Sequence, residues 1–447
     1  RAMFQADRYH FTQLNLSLSE HAMFPYGGKL SEKSATFYSA FRKLPFAPCV
    51  GHRRLEEYLT HMSIDPPRIR FLHNDRAGLN LAADYLANKK IKGAVRAARP
   101  GTIIFPNEPF ADITSEFGIA QLTEVKFEHA FDIPMTVASR ALQMRLVAGD
   151  RLLSDFSLRR NGEVERSVDV AEFAYIGGFN DTSNMEAGFL LDQSPVGIMA
   201  HYLVQSFRGV SEIDSNTGRK KHFQQICFER WLDAHPNGTT LLLDTISIPL
   251  GIKHAIAAAK SSLERQKALK AVRIDTKPLD KWSNYVQRML DLNGMHDIKV
   301  IATGDLDKDL IAAVIKANPN TFGFGVGTKL LAEVENVAGV IFKECLIDGV
   351  PTLKCSSRAK STFPGKLQIF RFVGYDGYYA GDIIAPSSLE SYGIKSPWPA
   401  AYKIALLEDF WVDGKVSYTV PTMAEQRATV SREVKKFRDI YNYPVIL

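Results

Sequence analysis

The chain has 447 residues, of which 45% are hydrophobic and 23% charged, so it can build more than one globular core. Its net charge of +6 is carried by no long block of Lys and Arg, which argues against a nucleic-acid groove. No apolar run reaches the ~18 residues of a membrane span, and no signal-peptide pattern opens the sequence, so no membrane partner and a cytoplasmic location are expected.

Residues 1–130 mix helical stretches at 5–18, 53–61 and 79–88 with strand-like runs at 91–98, 102–105 and 110–114. Between 131 and 348 the rhythm changes. Short apolar runs recur at 152–159, 173–178, 196–201, 239–245, 271–275, 299–304 and 322–327, several of them ending in Gly, Asp, Thr or His. Their length and Ile, Val, Leu and Phe content argue for buried strands. Helical patterns lie between them at 252–269, 282–293 and 307–317, the last with Asp305 or Thr303 as a cap, and a further one at 329–335. Repeated strand–helix units imply a parallel sheet, and seven candidates with polar ends suggest a barrel whose strand C-terminal ends face the active site. From 349 to 447 the pattern is hairpin-like, with strands expected at 352–356 and 368–372. The expected domains are therefore 1–130 and 349–447, together an accessory α+β domain built from both termini, and 131–348, an α/β barrel. Cys49, Cys227, Cys345 and Cys355 lack metal-ligand spacing. Cys345 and Cys355 flank a hairpin-like segment and could approach each other, but reduced thiols are the simpler expectation.

The richest segment runs from Gly177 to His201. Two glycines precede Asn180, Asp181, Thr182, Ser183 and Asn184, and His201 closes the next apolar run. Glycines let a backbone approach a ligand, and short polar side chains supply hydrogen bonds. His201 fits a nucleophile, an acid/base, an anion contact or an ordinary structural histidine. Gly325-Val326-Gly327-Thr328 and Gly304-Asp305 follow strands and precede helical patterns, as anion-binding turns do, and as ordinary turns also do. Arg159 and Arg160 fit an anion clamp or a solvated pair. Asp275 fits a sugar contact, a metal ligand or a helix cap, and Arg273 shares its strand face.

Taken in order, these residues resemble the nicotinate phosphoribosyltransferases, of the type II phosphoribosyltransferase group, over nearly the whole chain. Asp7–Gln13, with Tyr9 at its centre, is similar to the family's Thr-Asp-Xaa-Tyr-Xaa-Xaa-Thr. Phe41-Arg42-Lys43-Leu44-Pro45-Phe46 resembles Phe-Arg-Lys-Asn-Pro-Phe, and Phe156-Ser157-Leu158-Arg159-Arg160 resembles Phe-Gly-Xaa-Arg-Arg. Gly177–Asn184 is similar to Gly-Gly-Phe-Asp-Gly-Thr-Ser-Asn, Gly197–His201 to Gly-Thr-Met-Ala-His, and Phe324–Thr328 matches Phe-Gly-Val-Gly-Thr.

The resemblance implies an irregular α/β barrel and the conversion of nicotinate and phosphoribosyl pyrophosphate to nicotinate mononucleotide and pyrophosphate, in NAD salvage. It implies ATP as co-substrate through a phosphohistidine at His201, Mg²⁺ with the pyrophosphate, and a homodimer with shared sites. Arg159 and Phe156 would meet the base, Thr182 and Ser183 would line its pocket, Asp275 would bind ribose hydroxyls and Arg273 a phosphate. Gly304, Asp305, Gly325, Gly327 and Thr328 would cradle the 5′-phosphate, and Tyr9 would reach a neighbouring subunit's site. Related nicotinamide-using enzymes carry an aspartate where Ser183 stands, which would repel nicotinate's carboxylate. Departures from the pattern are Ser157, Ile246-Ser247 after Asp244-Thr245, and Lys277-Pro278 in place of a Gly and an Asp. They imply a divergent member with altered ATP coupling. The alternatives are a nicotinamide or other pyridine phosphoribosyltransferase, or a catalytically impaired ligand-binding relative.

Overall fold

Two units make up the chain: Arg1–Ser139 with Glu335–Leu447, and Arg140–Val334. The computed structural model describes residues 2–24, 27–76, 78–87, 89, 91–214, 218–331, 337–355, 362–390 and 393–446.

The first unit is built from both ends of the chain. Its seven-stranded antiparallel sheet runs in the order Val350–Pro351, Ile341–Ile347, Ser34–Ala40, Ala111–Glu116, Ala94–Ala98, Leu407–Val412, Lys415–Val416. A four-stranded sheet centres on the pair Leu367–Val373 and Tyr379–Pro386. The hairpin at 350 forms earlier than its sequence suggests. Asp348 and Gly349 both take positive φ (48° and 81°), which suits a two-residue turn, and it pairs Ile347 with Val350. Residues 352–355 are therefore not a strand, and residue 356 lies outside the described residues. Cys345 is buried, Cys355 is exposed, and both are free thiols.

The second unit carries six parallel strands, labelled here β1 (Leu152–Asp155), β2 (Asp181–Thr182), β3 (Thr239–Leu242), β4 (Leu269–Ile274), β5 (Lys299–Thr303) and β6 (Gly323–Val326). Their order is β2-β1-β6-β5-β4-β3, and β2 and β3 do not pair with each other. The sheet is thus a half-barrel rather than a closed ring. Its flanking helices include α1 (Val164–Ile176), α2 (Met185–Leu190), α3 (His201–Ser206), α4 (Phe223–Ala234), α5 (Ile248–Lys260), α6 (Leu263–Ala268), α7 (Leu279–Leu292) and α8 (Lys308–Ala317).

Two of the seven expected strands are not strands. Residues 173–178 close α1, where Val170, Ala171, Phe173 and Ala174 are buried at helical spacing. A short apolar run reads alike in a buried helix and a buried strand. Residues 196–200 join no strand, and His201 opens α3 instead of ending one. The expected helix at 252–269 breaks in two, because Ser262 caps α6 with its side chain. The α8 cap is Asp307, which accepts from Leu310 N–H at 2.8 Å, rather than Asp305 or Thr303. Of the helix expected at 329–335, only the 3₁₀ turn Thr328–Leu330 is seen, and 332–335 lie outside the described residues.

Candidate active site

All six strands point the same way, so the loops after their C-terminal ends share one edge of the sheet. A cavity of about 330 Å³ opens there, lined by residues that include Phe156, Arg159, Ser183, His201, Arg273 and Asp275.

β1 ends earlier than its apolar run. The Asp155 carboxylate accepts the Ser157 N–H at 2.8 Å and turns the chain out of the sheet. Arg159 therefore sits in the 3₁₀ turn Leu158–Arg160, exposed, rather than at a strand end. Phe156 is anchored by its N–H to the Val326 carbonyl at 2.7 Å. Beneath its ring lies Gly325, where a Cβ would come within 2.3 Å of Phe156 Cε2.

β4 brings Arg273 and Asp275 to the same rim. The Arg273 guanidinium lies 5.4 Å from the Phe156 ring centroid, donates from Nε to Thr303 Oγ1 at 2.8 Å, and meets Asp275 Oδ2 at 3.3 Å. Burial pulls Arg273 below its ordinary value, opposed by the charges of Asp275 and Asp244, while Arg159 adds to the lowering. Thr303 Oγ1 also lies 3.0 Å from Asp275 Oδ1. The next loop is held by Asp244, whose Oδ2 accepts from Asp275 N–H at 2.9 Å and Thr276 Oγ1 at 2.5 Å. Asp244 Oδ1 is buried without a partner. Lys277 and Pro278 are exposed, and Pro278 stands at the N-cap of α7.

The two glycine turns lie side by side. Gly304 has φ 107°, and a Cβ there would sit 2.5 Å from the Asp275 carbonyl, so only glycine fits. Asp305 Oδ1 accepts from Thr328 Oγ1 at 3.4 Å, joining the turns after β5 and β6. Gly304 packs on Asp275, Gly325 (inside β6) and Gly327 pack on Phe156, and Asp305 and Thr328 meet each other, but none of these five is among the residues that line the cavity. Thr182 is buried and does not line the cavity; its hydroxyl donates to Asp155 Oδ2 at 2.9 Å. Ser183 does line it, next along the same segment. His201 lines it too, with Nδ1 3.1 Å from Thr245 Oγ1. Tyr9 belongs to the other unit, where its hydroxyl donates to Glu124 and its ring stacks on His10 at 4.0 Å.

Asp155, Thr245 and Thr303 were not among the site residues expected from sequence. Each acts through a hydrogen bond to another strand end or loop, and a lone hydroxyl or buried carboxylate has no periodic signature. Asp244 was visible as a polar strand end, but not as the acceptor that organises Asp275 and Thr276.

Known proteins agree with this architecture. No family model matches the chain. The chain is 31% identical over 389 residues to a nicotinate phosphoribosyltransferase of Mycobacterium tuberculosis, covering 85% of this chain and 79% of that protein. A Bacillus subtilis nicotinate phosphoribosyltransferase is 29% identical over 371 residues, covering 80% and 72%. In structure, the chain is similar to human nicotinic acid phosphoribosyltransferase, with a TM-score of 0.76, 20% identity, and coverage of 98% and 97%. It is also similar to a Pyrococcus furiosus protein described as a nicotinate-nucleotide pyrophosphorylase, with a TM-score of 0.74, 19% identity, and coverage of 97% and 95%. At such identities the two structures speak for the fold, and the curated relatives carry the kinship: the chain belongs to the nicotinate phosphoribosyltransferase family.

Proposed function

We propose that the protein transfers the phosphoribosyl group of phosphoribosyl pyrophosphate to nicotinate, giving nicotinate mononucleotide and pyrophosphate for NAD salvage. The observation that carries this reading is the gathering of Phe156, Arg159, Ser183, Arg273 and Asp275 on one cavity. The pyridine nitrogen attacks the anomeric carbon. The bond from that carbon to the pyrophosphate oxygen breaks, and its electron pair leaves with pyrophosphate. Charge builds on the ribose ring in the transition state, so the chain's task is to position groups and offset charge.

Phe156 supplies a flat face for the pyridine ring, and the Arg159 fork suits its carboxylate. Ser183 is neutral, so nicotinate's negative charge meets no repulsion there. Asp275 accepts from ribose hydroxyls, and Arg273 faces phosphate. The turns at Gly304-Asp305 and Gly327-Thr328 present N–H groups to the 5′-phosphate. Tyr9 is assigned to the site of the second copy in a homodimer.

Magnesium accompanies pyrophosphate in this reading. Among the described residues no group of three His, Cys, Asp or Glu could hold a metal. A magnesium ion bound to phosphates needs only one or two protein carboxylates, and the unpartnered Asp244 Oδ1 beside Asp275 fits that need. The ion would offset charge on the leaving group.

ATP coupling is assigned to His201. With Nδ1–H donated to the Thr245 oxygen, Nε2 keeps its lone pair for the γ-phosphorus, and the bond to the ADP oxygen breaks. A cytoplasmic location is part of this proposal; among the described residues no helix is long and apolar enough to cross a membrane.

Incubating the protein with nicotinate, phosphoribosyl pyrophosphate and Mg²⁺ tests the reading. Mononucleotide is the expected product, and its absence with both nicotinate and nicotinamide would contradict the transferase. ATP should raise the yield in the unaltered protein but not in His201→Ala. Equal stimulation of the two would remove His201 from the coupling.

A further inference from the structure

Two arms of the cavity meet at one buried carboxylate. The arm carrying Phe156 and Arg159 leaves β1 at Asp155, and the arm carrying Ser183 leaves β2 at Thr182. Asp155 and Thr182 are register partners in the sheet. Asp155 is 2% exposed and Thr182 is 1% exposed. Asp155 Oδ1 accepts from the Ser157 N–H at 2.8 Å, its Oδ2 accepts from the Thr182 hydroxyl at 2.9 Å, and its backbone carbonyl accepts from the Ser183 N–H at 2.9 Å.

The network continues on both sides. Asn161 Nδ2 donates to Ser157 Oγ at 3.1 Å, and Ser157 is fully buried. Thr182 Oγ1 accepts the Asn184 N–H at 3.1 Å, and Asn184 Nδ2 donates to Ser167 Oγ on α1 at 2.9 Å. The Thr182 carbonyl accepts the Val196 N–H at 2.8 Å, which ties the loop leading to His201 into the same frame.

We infer that Asp155 is a positioning residue for the pyridine base. Its carboxylate ties the Phe156–Arg159 arm to the Thr182–Ser183 arm and so sets the gap that the ring enters. This rests on the nicotinate site proposed above. The donor set favours a carboxylate. Both oxygens accept, and every partner is a neutral donor. Asparagine offers one oxygen and one NH₂, so one donor would face a donor. Thr182 Oγ1 already accepts the Asn184 N–H, so accepting an asparagine NH₂ as well would use its second lone pair and turn its O–H away from residue 155, where it now has its acceptor. Burial raises the Asp155 pKa, and its hydrogen bonds from Ser157 and Thr182 oppose the rise.

The test is steady-state kinetics on Asp155→Asn and Thr182→Val, varying nicotinate and phosphoribosyl pyrophosphate separately. Each change should raise KM for nicotinate about tenfold or more, the loss expected when a buried hydrogen bond to a charged group is broken. KM for phosphoribosyl pyrophosphate should move by less than about twofold, since the sugar-phosphate turns lie on other strands. The double variant should be no worse than the more damaged single variant by more than about twofold, because both remove one contact. Thr182→Val is nearly isosteric and carries the test if Asp155→Asn does not fold. Equal proportional rises in both KM values, an unchanged KM for nicotinate, or failure of both variants to fold would overturn the assignment. No turnover by the unaltered protein would instead overturn the transferase reading, and this role with it.

Discussion

Arg273 is where the two halves of the proposed substrate meet. Its guanidinium lies 5.4 Å from the Phe156 ring centroid on the base side, and on the sugar side it contacts Thr303 and Asp275. Phe156 in turn depends on an absence. A Cβ on Gly325 would lie 2.3 and 2.6 Å from two ring carbons and 2.7 Å from Thr303 Cγ2. Gly325→Ala should therefore push the ring aside and lower kcat/KM for nicotinate by about tenfold or more. Unchanged kinetics would mean that Phe156 does not wall the base. At this scale the motif residues Phe156, Arg159, Ser183, His201, Arg273 and Asp275 were legible in the sequence. Thr245 and Thr303 were not, since their value lies in facing His201 and Arg273 from elements 44 and 30 residues away.

Strands β3 to β6 were legible because short β-branched runs alternate with amphipathic helices, and each run ends at a polar or glycine residue. The expectation failed where burial hides the period. α1 buries Val170, Ala171, Phe173 and Ala174 and so reads as a strand in its last turn. The helix Glu124–Ala148 was missed because apolar residues occur around its whole circumference and Pro134 lies within it. Backbones come close where α5 passes the end of β3. A Cβ on Gly251 would lie 1.8 Å from the Leu243 carbonyl oxygen. Backbone cannot yield as a side chain can, so Gly251→Ala should cost roughly 2–4 kcal/mol, visible as a lower midpoint of thermal unfolding. An unchanged midpoint would show that α5 can slide without cost.

Across the whole molecule, stability should depend on pH through histidines buried in their neutral form. His52 is 1% exposed, donates from Nε2 to the Ala98 carbonyl at 2.8 Å, and leaves Nδ1 without a partner. Burial pushes its pKa down from 6.5 to about 4. Below pH 6.5 the unfolded chain therefore takes up a proton that the folded chain refuses. Stability should fall as pH drops from 6.5 towards about 4 and then level off for this group, a loss of roughly 3 kcal/mol in all. His52→Gln should flatten that limb in urea unfolding at pH 7 and pH 4.5, and an unchanged limb would place the titration elsewhere. The two-ended build of the first unit followed from the flanking patterns. The open edge between β2 and β3 did not, because an apolar run does not reveal whether its outer neighbour exists.

In the proposed function the cavity selects a pyridine bearing a negative charge, through Arg159 and a neutral Ser183. The most direct test of this selection is the ratio of kcat/KM for nicotinate to that for nicotinamide, measured with phosphoribosyl pyrophosphate in the unaltered protein and in Ser183→Asp. The ratio should favour nicotinate in the former and fall by about tenfold or more in the latter, as a carboxylate enters beside the ring. A preference for nicotinamide in the unaltered protein, or a ratio indifferent to Ser183→Asp, would rule out selection by charge at Ser183.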